Sequence, residues 1–170
     1  PWHVYTRVDQ LEDKLPFAPT LIALTNTSGL TPQAPTADAP IVDKGEIVYY
    51  EGTTTWTINL SIPADAKEGD YKIAGELGYQ VCTDKNCGSP RGVAFSGTLA
   101  VSSQKAAGST PLVFQKSNYG TAKSALTTRV AWAGESAPSA PNAFDTANLN
   151  VDDGSGSTNY SIVAILAMAF

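Results

Sequence analysis

The clearest signal along the chain is an alternation of apolar and polar positions with a period of two. Trp56, Ile58, Leu60 and Ile62 alternate with Thr55, Thr57, Asn59 and Ser61, the pattern of a strand with one face buried and the other wet. Pro63 ends that run because it has no N–H to give to a ladder. After a polar turn the alternation resumes, with Tyr71, Ile73, Gly75, Leu77, Tyr79 and Val81 on one face and Lys72, Ala74, Glu76, Gly78, Gln80 and Cys82 on the other. Val93, Phe95, Gly97, Leu99 and Val101 repeat it beyond the next turn, so these two runs are expected to form a hairpin. Trp2, Val4, Thr6 and Val8 alternate with His3, Tyr5 and Arg7 at the start of the chain, and Thr20 to Thr25 reads as a short apolar strand. Short alternating strands with turn signals between them, and no convincing helical period, predict an all-β fold of antiparallel strands.

The stretches between these runs carry different compositions. Prolines 32, 35 and 40 suit a loop or an edge connection, since each lacks the donor a central strand needs. Residues 41 to 52 bring acids and aromatics together just before the strongest strand pattern. After Ser102 the chain turns to Ser, Ala, Gly, Thr and Pro. Residues 104–157 read as a long linker that touches the folded part at two apolar patches, Pro111 to Phe114 and Val130 to Trp132. Residues 158–170 are apolar apart from their first positions, which fits a buried terminal strand or helix or the start of a transmembrane segment, although a full span needs about 20 apolar residues.

Composition and charge narrow the function. The chain has 170 residues, 42% of them apolar and 16% charged, enough for one domain with a real core and too few for two. A net charge of -5 without a basic cluster argues against nucleic acid and against an anionic membrane surface. The chain begins at Pro1 with no basic and apolar leader before it, which fits a processed precursor or a fragment.

Chemistry is concentrated in one place. The two cysteines, Cys82 and Cys87, stand where one strand pattern stops and the next begins, and Asp84-Lys85-Asn86 followed by Gly88 and Pro90 is turn composition. The thiols therefore face each other across a tight bend, which allows a disulfide. A bridge closing six residues restrains the unfolded chain by only about 2 kcal/mol. That leaves a local staple and an exchangeable redox pair both open, and a short bridge in a turn suits exchange because a thiolate can reach it. A zinc site needs about four ligands, and the chain offers two cysteines and the distant His3. His3 itself falls on the polar side of its strand and reads as an exposed or partly packed position, with no nucleophile and orienting acid nearby. Cys82 leaves its strand on the side away from Leu77 and Val81, toward solvent or a covering loop.

The run from Gly69 through Tyr79-Gln80-Val81-Cys82, with Asp84, Cys87 and Pro90 after it, resembles the N-terminal periplasmic domain of the DsbD family of thiol:disulfide interchange proteins. Trp2-His3-Val4-Tyr5 resembles that domain's early aromatic strand, and with Val93 to Val101 the resemblance covers residues 1–103. It implies an immunoglobulin-like antiparallel β-sandwich redox domain over 1–103, then the linker of 104–157, then at 158–170 the truncated start of a transmembrane segment leading into a membrane domain. It implies a protein-disulfide reductase module at the periplasmic face of the bacterial inner membrane, with Cys82 and Cys87 catalytic and no metal or organic cofactor. Its partners would be a thioredoxin-like domain of the same parent protein, which supplies electrons, and oxidised periplasmic proteins of disulfide isomerisation and cytochrome c maturation, which receive them. Cys87 would form the mixed disulfide and Cys82 would resolve it. The family's acidic and aromatic cap loop corresponds to residues 43–50. There Tyr49 or Tyr50 is expected to shield sulfur, and Asp43 or Glu46 to oppose thiolate formation by like charge. A plain hairpin turn with two half-buried tyrosines is the competing reading of that loop. For the whole chain the alternative is a non-catalytic, membrane-tethered β-sandwich binding module whose short disulfide only pins a turn.

Overall fold

The computed structural model describes residues 1–9, 15–45, 47–102 and 111–135, and the backbone of 166–168. In chain order the strands are β1 (His3–Tyr5), β2 (Leu21–Asn26), β3 (Thr31–Pro32), β4 (Thr36–Asp38), β5 (Ile41–Asp43), β6 (Val48–Glu51) and β7 (Thr54–Thr57). They continue with β8 (Leu60–Ser61), β9 (Gly69–Tyr79), β10 (Val81–Cys82), β11 (Arg91–Val101), β12 (Val113–Ser117) and, after the helix α1 (Tyr119–Ala125), β13 (Leu166–Met168). One four-stranded sheet runs β10-β1-β6-β5 and another β12-β11-β9-β2, beside a smaller β13-β7-β4 sheet and a β3-β8 pair. Every one of these ladders is antiparallel. The all-β expectation therefore holds at the level of antiparallel sheets with one short helix.

The period-two pattern explains which side of each strand is covered. Ile73 and Leu77 of β9 lie in the main core with Ile22 and Leu24 of β2, Trp56 of β7, Leu60 of β8 and Phe95 of β11, while Tyr71, Tyr79 and Val81 pack against its edge. Val4 of β1 enters the same core from the first sheet. The long β9–β11 hairpin pairs from Arg91↔Tyr79 to Val101↔Gly69 without a break, as the two alternating runs predict.

The other face of β9 is also covered. There α1 lays Ala122, Ala125 and Leu126 on Leu21 and Ala23 of β2. Gly78 permits the approach, since a Cβ at that position would lie 2.9 Å from the Ala122 Cβ. The helix starts at Asn118, whose extended backbone and side-chain oxygen accepting from the Thr121 N–H make an N-cap. The chain reaches that cap along β12, which pairs with β11 from Gly92↔Ser117 to Ser96↔Val113.

Residues 111–135 thus depart from the linker expected of them. Beyond α1, the Val130 N–H donates to the Leu24 carbonyl at 2.7 Å and the Ala133 N–H to the Pro32 carbonyl at 2.7 Å. Trp132 is 2% exposed in the main core, and its indole N–H donates to Asp9 at 2.8 Å. Arg129 lies over the Trp132 ring at 4.8 Å and holds Glu135 through two hydrogen bonds. Both apolar patches read from the sequence lie in this segment, and Leu112, Val130 and Trp132 from them pack on or in the main core. The remaining linker positions, 104–110 and 136–157, lie outside the described residues. Of the segment expected to begin a transmembrane helix, Leu166–Met168 form a strand that pairs with β7, and the rest is outside the described residues. Among the described residues no helix is long and apolar enough to cross a membrane.

Candidate functional site

Cys82 and Cys87 form a disulfide, with their Cα atoms 4.0 Å apart across the turn. The turn is tightly bonded in its own right. The Thr83 N–H donates to the Asn86 carbonyl at 2.8 Å, the Gly88 N–H to the Val81 carbonyl at 2.8 Å, and the Thr83 hydroxyl accepts from the Asn86 N–H at 3.1 Å. Gln80 braces it from behind. Its amide N–H donates to the Gly88 carbonyl at 2.9 Å and its amide oxygen accepts from the Ala18 N–H at 2.8 Å, which ties the cysteine turn to the loop that carries Phe17.

The two cysteines have unequal surroundings. Cys82 is fully buried, in a cluster with Tyr5 and Tyr49 to which Phe17 and Val42 add, whereas Cys87 is exposed. Tyr5 and Phe17 stack with ring centroids 3.9 Å apart, and the Tyr5 hydroxyl lies 3.9 Å from the Cys87 sulfur. The register of the first sheet builds this cover. His3 stands opposite Cys82 in the β1–β10 pair, Tyr5 stands opposite Tyr49 in the β1–β6 pair, and Val42 stands opposite Tyr49 in the β5–β6 pair. Cys82 therefore points away from the core that holds Leu77, onto a second, aromatic layer.

The cap expectation resolves residue by residue. Tyr49 is 3% exposed and packs in the cluster with Cys82. Tyr50, the next residue on the strand, turns to the opposite face and meets Trp56 edge-on at 6.2 Å, so it does not share the shielding role. Strand geometry requires this, because neighbouring residues leave on opposite sides. Asp43 is exposed and its carboxylate accepts the Gly45 N–H at 2.8 Å in its own turn. Glu46 lies outside the described residues. Among the described residues, the charges that act on His3 in this layer are Asp84, Glu51, Lys44 and the Pro1 ammonium. The Lys44 ammonium sits 5.2 Å from the Tyr49 ring centroid, and its hydrogen bond with the Tyr49 side chain raises its pKa.

The strand pattern predicts an exposed or partly packed His3, and the aromatic layer over Cys82 buries it instead. Tyr5 and Phe17 are site residues that the pattern does not single out. His3 is 5% exposed, stacked at 4.2 Å on Tyr49 and edge-on to Tyr5 at 5.6 Å. Burial holds its imidazole below the ordinary histidine pKa, with Asp84 and Glu51 opposing that shift. Burial likewise pushes the Tyr5 hydroxyl up, with Tyr49 adding to it. The available signal was that the nominally polar face of β1 carries an aromatic pair at alternate positions. Phe17, between Pro16 and Pro19, gives no periodic signal at all. Compared with family models, curated proteins and solved structures, the chain matches none.

Proposed function

We propose that this chain is a thiol-disulfide exchange module, a protein-disulfide reductase domain in which Cys82 and Cys87 alternate between disulfide and dithiol. The observation that carries the reading is the asymmetry of the bridge, with Cys82 fully buried and Cys87 exposed. Exchange needs one sulfur that a partner can reach and one held in reserve to finish the reaction. The Cys87 thiolate attacks a partner disulfide and expels one partner sulfur. The Cys82 thiolate then attacks the Cys87 sulfur, closes the bridge and expels the second. Two electrons pass to the partner, which is reduced, and the pair is oxidised.

Several features support this reading over a staple. The turn is already held by its own hydrogen bonds and by Gln80, so a bridge adding about 2 kcal/mol of unfolded-state restraint has little left to hold. Two four-stranded antiparallel sheets that both contribute to the main core suit the immunoglobulin-like sandwich that the resemblance implies. An oxidising compartment such as the periplasm suits a chain carrying a disulfide, and thioredoxin-like proteins suit a site that presents one sulfur on a turn.

Equilibration of the full chain with a graded dithiothreitol buffer tests the proposal. An exchanging pair should titrate above about -300 mV, in the range where thioredoxin-like partners operate, whereas inert structural bridges lie below that. A value below it, with no reduction by a reduced thioredoxin-like protein, would leave the non-catalytic binding module as the better account.

A further inference from the structure

The face of β1 that looks onto the bridge carries a group the exchange steps above do not use. The Nδ1 atom of His3 is a buried nitrogen with no hydrogen-bond partner, in a residue that is 5% exposed. A buried polar atom without a partner is costly, and each one calls for an explanation. Register supplies one. His3 stands directly opposite Cys82 in an antiparallel pair, an arrangement that places the two side chains on one face with Cβ atoms about 4.5–5.5 Å apart. In the disulfide, Cys82 has no proton to donate. In the dithiol it gains an S–H on the residue that the register sets opposite this imidazole.

We propose, resting on the exchange reading, that His3 is the proton acceptor for Cys82 in the reduced state, and so governs the step that closes the bridge. When Cys87 is joined to a partner's sulfur, the Cys82 S–H proton passes to His3 Nδ1. The freed electron pair forms the bond to the Cys87 sulfur, and the bond from Cys87 to the partner breaks with its pair leaving on the partner's sulfur. The imidazolium then returns its proton to that thiolate or to water and is unchanged overall. The rings of Tyr49 and Tyr5 hold the imidazole in place. The charged groups that act on it are Asp84 and Glu51, which favour the imidazolium, and Lys44 and the Pro1 ammonium, which oppose it. Burial keeps it neutral and able to accept.

The reduced full chain mixed with the aromatic disulfide dithiobis(nitrobenzoate) separates the steps. Attack by Cys87 releases one nitrothiobenzoate at a rate that scales with reagent, and closure by Cys82 releases a second at a rate that does not. His3→Gln and His3→Asn should each slow the second release by about tenfold or more at neutral pH, and make it climb with pH toward the ordinary thiol range near about 8.5. The first release should be unchanged. Because the chain has a single histidine, the wild-type imidazole can also be titrated by NMR, and its curve should differ between the disulfide and dithiol forms. Identical curves in the two forms overturn the role of His3 however the variants behave, as does an unchanged second phase in a folded variant. A wild-type chain with no reagent-independent second phase overturns the exchange reading itself, a result the imidazole titration cannot mimic.

Discussion

At the scale of single residues, the cover over Cys82 separates two otherwise similar tyrosines. Tyr49 packs with Cys82 and Tyr50 packs with Trp56, because a strand sends neighbouring side chains to opposite faces. A sulfur–aromatic contact such as that of Tyr49 with Cys82 is worth about 0.3–1.5 kcal/mol. Tyr49→Ala should therefore let dithiothreitol reduce the bridge about 2- to 12-fold faster, measured as the loss of disulfide over time, and Tyr50→Ala should leave that rate much closer to wild type. Equal acceleration by both would mean that the cover is not specific to Tyr49. The sequence carried the cysteine pair, their turn and the direction of Cys82 off its strand. It did not separate Tyr49 from Tyr50, because a pair of adjacent tyrosines fits either phase of the alternation. Nor did it expose His3, whose burial depends on a second layer built by β6, β10 and the loop around Phe17.

At the scale of elements, the join between β12 and α1 depends on one missing side chain. A Cβ at Gly92 would lie 2.3 Å from the Asn118 carbonyl oxygen and 2.7 Å from its nitrogen. Backbone at that distance cannot step aside as a flexible side chain would. Gly92→Ala should destabilise the chain by about 1–3 kcal/mol, seen in urea unfolding, with faster amide exchange concentrated in α1. An unchanged midpoint would mean that β12 and the helix shift freely on the sheet. The long strands were legible because a period of two held over many residues in β9 and β11. β12 was not, since Val113 and Phe114 are both exposed on an edge strand, so no alternation marks it. α1 has seven residues, too few for a helical period to rise above the small-residue background of Ala, Ser and Thr.

At the scale of the whole molecule, the core is closed by a residue from the stretch that composition assigns to a linker. Trp132 is 2% exposed and shares the main core with Val4, Leu24 and Trp56. Truncating a buried aromatic costs about 3–5 kcal/mol, against the roughly 5–15 kcal/mol that holds a domain together. Trp132→Ala should lower the thermal midpoint sharply and loosen the near-ultraviolet circular dichroism of the core. A midpoint within a degree or two of wild type would return residues 111–135 to the role of a tether. Averaged composition hid this segment, because a single tryptophan among small and polar residues barely moves a window, yet it buries as much surface as several alanines.

The bridge and its cover differ in how far along the chain their parts must travel. Cys82 and Cys87 are separated by five positions, a loop that an unfolded chain closes in about 100 ns or less. The cover needs β1, at one end of the described chain, to find β10, a non-local pairing of the kind that slows folding. Oxidation of the sulfurs therefore does not have to wait for the fold, while the burial of Cys82 does. Cys87 stays exposed in the fold, so a small thiol can reach the bridge from that side without any opening of β1. Only attack on the buried Cys82 sulfur waits on local unfolding of the kind that amide exchange reads.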